Sequence, residues 1–236
     1  LLRKTVPHLF RSYRQELGLE RIHLPDAVAV AAMLHPELFQ CEELAGDSKG
    51  GGPAMLVGSP WVEGDKQHNG LFLLAEGKIA ASRFKYELPN YGVFDEKRVF
   101  QPGPLQGPVS FKGVRLGLPI CEDIWFDNVT DCLAESGAEI LLVPNGSPFE
   151  IDKMDVRMNI AVARQTETQL PLAYVNQVGG QDELVFDGDS MVIDADGRVL
   201  AEAPTFQEHL LLCDIETEHA FRSSALAVAW RAKRVA

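Results

Sequence analysis

Apolar positions along the chain fall into two textures, one before Ser48 and one after Pro53. In the first, Leu2, Val6, Leu9, Phe10, Tyr13 and Leu17 recur at roughly 3.6 residues, which predicts an amphipathic helix over Leu1–Gly18. Pro7 interrupts it early and Gly18 ends it. The run Ala27–Leu34 is apolar throughout and too short to show a period, so it predicts either a buried helix or a strand. Between the textures, Ser48–Pro53 reads Ser-Lys-Gly-Gly-Gly-Pro, the strongest break in the chain, and we place a domain boundary there.

Beyond the break the pattern predicts short strands at Ala54–Val57, Gly70–Leu74, Lys78–Phe84, Val114–Ile120, Ile140–Val143, Leu172–Asn176, Ser190–Asp194 and Leu210–Ile215. Helical spacing separates some of them, at Val129–Ser136 and Ile151–Thr168, while Glu76-Gly77 and Asp196-Gly197 are hairpin turns. Gly179-Gly180 and Phe186–Ser190 read as tight turns. Strands joined by both helices and hairpins predict an α/β protein whose mixed sheet is covered by helices.

Composition narrows the function classes. Of 236 residues, 46% are apolar and 24% charged, close to ordinary globular usage, which excludes disorder and collagen-like structure. The longest apolar run stops at His35-Pro36, well short of a membrane span, so a soluble protein is expected. A net charge of −12 argues against general binding to nucleic acid. The stretch His219–Ala236 alone is basic, with Arg222, Arg231, Lys233 and Arg234, and reads as an exposed helix end or tail, the tail segment being 216–236. Cys41, Cys121, Cys132 and Cys213 form no Cys-x-x-Cys pair and no His cluster accompanies them, which points to a reduced, cytoplasmic setting without a metal site. The start, Leu-Leu-Arg-Lys, lacks Met and signal architecture and reads as an internal start or a fragment.

Cys121 ends the apolar run Val114–Ile120 and precedes Glu122-Asp123-Ile124-Trp125 and a helical pattern. A strand-to-helix elbow presents a side chain at the carboxyl edge of a sheet, where a thiolate can be stabilised. An isolated cysteine there is also an ordinary small core residue, and the adjacent acids oppose ionisation, so a nucleophile at this place requires a cation. Lys85, closing the strand Lys78–Phe84, can supply it, though a lysine at a strand end is also an ordinary solvated cap.

The wording of the whole region decides between these readings. The segments Phe84–Phe100 with Lys85, Tyr91, Phe94 and Glu96, then Gly103-Pro104, Ile120–Trp125, Val143–Phe149 with Ser147, and Tyr174–Gly180 closely resemble the glutamine-hydrolysing domain of glutamine-dependent NAD synthetases. That domain belongs to the nitrilase superfamily, and the resemblance covers residues 54–215. It implies an αββα sandwich with mixed sheets and a Glu-Lys-Cys triad, in which Cys121 attacks a carboxamide and Lys85 stabilises the oxyanion. Glu96 matches a second superfamily glutamate that orients the site. The resemblance further implies that Tyr91 and Phe94 wall the pocket, that Glu122 and Ser147 hold the amino and carboxylate ends of L-glutamine, and that Trp125 packs beside them. The chemistry calls for no metal or cofactor: a γ-glutamyl thioester forms on the sulfur, ammonia leaves, and water completes the hydrolysis.

The upstream stretch departs from that pattern. His8–Arg14, His23–Ala32, His35–Phe39 and Ala45–Asp47 resemble the carboxyl-terminal region of inosine-uridine nucleoside hydrolases, with Asp26 at a calcium-binding aspartate and Pro25 where that family has histidine. Their aspartate-rich amino-terminal motif is missing, so no nucleoside hydrolase site can be assembled, and residues 1–47 read as a remnant. The amino-terminal part of the nitrilase-like fold is then replaced or truncated. His35-Pro36-Glu37 also resembles the superfamily's Pro-Glu motif, but Glu37 stands close before Met55, and a helix-end surface acid is the preferred reading. Three functions follow as expectations: a glutaminase part of a glutamine-dependent NAD synthetase, a catalytically inactive interaction module lacking the general base, or an amidase for another carboxamide. The Ser-Gly-Gly loop of an ATP-dependent synthetase is missing, so ligation is expected from a partner synthetase domain, with self-association as the other partner expectation.

Overall fold

The computed structural model describes residues 53–151, 153–181 and 183–217. The helix expected at Leu1–Gly18, the run Ala27–Leu34, Glu37, most of the glycine break and the basic stretch from His219 lie outside the described residues. The chain falls into two compact units, one ending at Trp61 and including Phe72–Ser82, the other made of Val62–Leu71 and the chain from Arg83 on.

A three-stranded sheet has the order β1-β2-β3, with β1 at Met55–Glu63, β2 at Lys66–Ala75 and β3 at Lys78–Phe84. The turn between β2 and β3 is Glu76-Gly77, both residues at positive φ (53° and 73°), as a two-residue hairpin requires. Trp61 and Phe72 pack their rings 4.9 Å apart on this sheet.

The second sheet is mixed, with the order β11-β10-β7-β6-β5-β4. Its centre is β5 (Val114–Gly117), β6 (Ile140–Asn145) and β7 (Leu172–Asn176), parallel throughout, while β4 (Val109–Phe111), β10 (Met191–Ile193) and β11 (Val199–Glu202) pair antiparallel outside them. Ile140–Val143 is buried on every residue, the run expected of a parallel strand covered on both faces. Helix α2 (Asp127–Glu135) and helix α3 (Lys153–Thr168) supply cover. The core joins Ile124, Val129, Leu133, Leu141, Val143, Ala161, Leu172, Tyr174, Met191 and Ile193.

Several elements differ from expectation, each for a local reason. β5 stops at Gly117 rather than Ile120, because Pro119 cannot donate to a ladder and the chain turns into a 3₁₀ turn at Cys121–Ile124. β4 is an unexpected strand, made by a Lys112-Gly113 turn with both φ positive (48° and 86°). The glycines at 179 and 180 do not form a tight turn: they lie in β8 (Val178–Gln181), which pairs antiparallel with β9 (Leu184–Asp187). Leu210–Ile215 is not a strand; it holds a single bridge residue, Asp214, and Leu210 is 73% exposed. Among the described residues no helix is long and apolar enough to cross a membrane.

Candidate active site

The parallel strands set the site. β5 and β6 run side by side in the same direction, so the 3₁₀ turn after one and the Gly146-Ser147 segment after the other leave from one edge of the sheet. Asn176 ends the third parallel strand at that edge, and its Oδ1 accepts from the Ser147 amide at 2.9 Å.

Cys121 opens the 3₁₀ turn with φ at +49°, a left-handed conformation that costs a side-chain-bearing residue free energy. Only part of its surface is accessible. Burial pushes the Cys121 thiol up, against the pull of the Lys85 ammonium and the Gly146 backbone amide, with Glu122 and Glu96 pushing in the same direction as burial.

Lys85 follows β3 directly and is 1% exposed. Its Nζ donates to Glu96 Oε1 at 2.7 Å, and Glu96 Oε2 also accepts from Asn69 Nδ2 at 3.4 Å. The backbone of Lys85 is held on both sides, by Asn69 O and by the Gly103 amide, each at 2.8 Å. A Cβ on Gly103 would lie 2.6 Å from the Phe84 carbonyl oxygen, so only glycine lets this segment close on the strand end. Glu96 is carried by the one-turn helix α1 (Glu96–Val99), whose first amide donates to Pro89 O at 3.1 Å. The solvated-cap reading of Lys85 is thereby excluded: the ammonium is buried and paired with a carboxylate.

Tyr91 and Phe94 sit on the loop between Lys85 and α1, ring centroids 5.8 Å apart in an edge-on arrangement. The Tyr91 hydroxyl donates to Glu122 Oε1 at 2.7 Å. Burial of that hydroxyl and its bond to Glu122 hold Tyr91 protonated well above the usual phenol range. Glu122 is 5% exposed, so its carboxylate lies under the Tyr91 side chain and next to the thiol in sequence. Trp125 packs against the hydrophobic core. Ser147 is buried, its Oγ accepting from Arg157 Nε at 3.2 Å.

Three residues had no assigned role in the sequence. Asp123 is buried and accepts from the Tyr86, Glu87 and Ile120 amides; burial pushes it up to about 6, opposed by those three bonds and by Lys85. Arg157 and Asp187 form an ion pair at 2.8 Å with both side chains 0% exposed. Arg157 Nη1 donates to both Asp187 oxygens and Nη2 donates to Ser147 O and Pro148 O, so with Nε all five of its donors point at acceptors. A signal for this pair existed. Arg157, Ala161 and Gln165, four apart, form the buried stripe of α3, and a charge on a buried stripe demands a partner.

Chemically, a partly accessible thiol feels the pull of an ammonium that is itself paired with a carboxylate. The cation favours the thiolate, and an ammonium beside a thiol is the kind of group that can meet negative charge developing on a substrate oxygen. The carboxylate orients the amine through the 2.7 Å bond.

Comparison with known proteins identifies the family. A family profile described as carbon-nitrogen hydrolase matches residues 25–220. A glutamine-dependent NAD(+) synthetase of Rhodobacter capsulatus is 41% identical over 90% of this chain and 37% of its own length. One from Xanthomonas campestris pv. campestris is 42% identical over 77% of this chain and 35% of its own length. The chain thus spans about a third of the length of these curated relatives. Among solved structures, the glutamine-dependent NAD+ synthetase of Acinetobacter baumannii superposes with a TM-score of 0.69 at 30% identity, over 88% of this chain and 40% of that one. An amidase mutant from Nesterenkonia sp. AN1, solved after Michael addition of acrylamide at its active-site cysteine, gives 0.61 at 31% identity, over 77% and 68%. These matches carry the nitrilase-superfamily α/β fold with mixed sheets. The nucleoside-hydrolase likeness of residues 1–47 is not shown by them, and the profile match enters that stretch at residue 25.

Proposed function

The chain belongs to the carbon-nitrogen hydrolase family, and from that premise we propose that it hydrolyses the side-chain amide of L-glutamine, acting as the glutaminase part of a glutamine-dependent NAD synthetase. The observation that carries the reading is the buried Lys85–Glu96 pair at 2.7 Å, in electrostatic contact with a cysteine held at a strand-end elbow. Cys121 attacks the amide carbon as thiolate. Lys85 takes the oxyanion, the proton given up by the thiol passes to the amide nitrogen as the tetrahedral species collapses and ammonia leaves, and water then adds its hydroxyl to the acyl carbon and returns a proton to the sulfur, releasing the acid. Glu96 holds Lys85 in line. The Glu122 carboxylate under Tyr91 takes the α-ammonium, the Gly146-Ser147 segment takes the α-carboxylate, and Phe94 and Trp125 complete the wall. Released ammonia goes to a partner synthetase domain, as the names of the relatives suggest. A homo-oligomer and a cytoplasmic setting belong to the same proposal.

An amidase for a simpler carboxamide is the second reading, favoured by the likeness to the Nesterenkonia amidase. Glu122 separates the two, because a buried carboxylate beside the nucleophile suits an ammonium-bearing substrate and opposes a neutral one. The test is ammonia release by the full chain from L-glutamine, acetamide and propionamide, with Cys121→Ala as control. Glutamine turnover that vanishes in Cys121→Ala is expected; preference for the simple amides would overturn the glutamine assignment.

A further inference from the structure

One carboxylate touches the backbone on both sides of the reacting pair. Asp123 Oδ1 accepts from the Tyr86 amide at 3.1 Å and the Glu87 amide at 2.8 Å, and Tyr86 directly follows Lys85. Its Oδ2 accepts from the Ile120 amide at 2.9 Å, and Ile120 directly precedes Cys121. The Asp123 amide donates back to Ile120 O at 3.0 Å, so the elbow is closed on itself as well as tied outward.

A local cap for the 3₁₀ turn would need only the Ile120 bond, leaving the other oxygen to water. Here the residue is 3% exposed and its second oxygen is spent on two amides 36 and 37 positions earlier in the chain. A capping role does not account for that; a tie between two segments does. Those segments end in the ammonium and the sulfur whose mutual distance the chemistry depends on, and a displacement of about 1 Å in such a pair can cost on the order of 100-fold in rate. We propose that Asp123 is a positioning residue for this reaction, its carboxylate stapling the strand end that carries Lys85 to the elbow that carries Cys121. The inference rests on Cys121 and Lys85 being the nucleophile and its cation.

Asp123→Asn tests it. The side chain keeps its shape but retains one acceptor oxygen for three amide donors, and its NH₂ faces an N–H, so the staple opens on one side. In the full chain we expect the pH midpoint for alkylation of Cys121 by iodoacetamide, followed at that peptide by mass spectrometry, to move upward as Lys85 and the sulfur lose register. At pH 8 the rate should fall about 3- to 10-fold. With glutamine, kcat should fall about 10- to 100-fold with KM within about twofold. Loss of the carboxylate's charge alone would act in the opposite direction, lowering the midpoint and speeding alkylation. A part played only in folding would leave the midpoint in place once the melt is normal. Either result overturns the proposal. Should the variant not fold, hydrogen exchange on the wild-type chain decides: the Tyr86, Glu87 and Ile120 amides are expected to open as one unit, and rates differing by more than about tenfold after correction for intrinsic exchange overturn the staple. Alkylation and exchange need no glutamine, so a wild-type chain that ignores glutamine would sink the substrate assignment and still leave Asp123 judged on its own.

Discussion

Removing one member of the Arg157–Asp187 pair breaks the most deeply buried ion pair among the described residues. Both side chains are 0% exposed, and Asp187→Ala leaves a guanidinium without its counter-charge in a place water does not reach. Breaking a buried pair from one side typically costs about 3 to 5 kcal/mol. For a domain of 150 to 250 residues that is a fall in melting temperature of about 6 to 20 °C. The structure also says how the double variant should behave. In Arg157→Met with Asp187→Ala no charge is stranded, and Ser147 O keeps the Asn176 Nδ2 bond at 3.2 Å. Pro148 O loses the Arg157 bond, a penalty of about 1 to 3 kcal/mol. The double variant is therefore expected to melt above Asp187→Ala alone. Calorimetric melts of the wild type, both single variants and the double complete the cycle. A loss under about 1 kcal/mol in Asp187→Ala, or losses that simply add, would refute the reasoning.

Lys85→Met removes the strongest pull holding the Cys121 thiol down, so alkylation of Cys121 at pH 8 is expected to slow at least tenfold, and glutamine should leave little acyl-enzyme by mass spectrometry; an unchanged rate would remove Lys85 from the site. Glu96→Gln is expected to lower turnover about 100-fold or more, because the buried ammonium loses its charged partner, whereas Glu37→Gln should leave it within about threefold; the reverse order would make Glu37, not Glu96, the carboxylate on which turnover depends. For Asp123 the native carboxyl lies at about 6, above its ordinary 3.8, so its contribution to stability is present at low pH and is lost as pH rises through the native value. Between pH 3.5 and 7.5 urea melts should show the wild type losing about 3 kcal/mol that Asp123→Asn does not lose, and parallel curves would contradict the burial argument.

The sequence made strands legible where the apolar run was long or bounded by hairpin glycines. β3 and β7 lie where periodicity and run length put them, at Lys78–Phe84 and Leu172–Asn176. What pattern reading missed were strands that exist through pairing rather than composition. β8 contains Gly179-Gly180 and holds together by its ladder with β9, a long-range fact with no local signature. Leu210–Ile215 shows the opposite error, an apolar run that has a single bridge residue. Within the site, the motif words reached Cys121, Lys85, Glu96, Tyr91 and Glu122, and the structure brings Lys85 to Glu96 and Tyr91 to Glu122. Asp123 was invisible as a partner because its contacts are with backbone amides, which carry no residue identity in a sequence, whereas Arg157 was legible as a charge on a buried stripe but not by the identity of its partner, Asp187, 30 positions away.

The three costly features of the larger unit bear on whether it does chemistry at all. Cys121 holds φ at +49°, where glycine would sit without strain. Asp123 is pushed up to about 6 by burial, so at neutral pH it is ionised against its surroundings. Arg157 and Asp187 are sealed from water, where apolar residues of similar volume would serve stability as well or better. None of these is a response to a packing problem, since the core cluster they adjoin is filled by apolar and aromatic side chains and holds no charged group. Their effects instead fall on one edge of the sheet. The strained residue carries the sulfur, the ionised carboxylate ties the flanks of Cys121 and Lys85, and the ion pair fixes Ser147 and Pro148, next to the Gly146 amide that pulls the thiol down. An interaction module would need an exposed surface and has no use for strain or buried charge at the root of a cysteine. A thiol nucleophile needs both, because its ionisation and its distance from the cation must be set before substrate arrives.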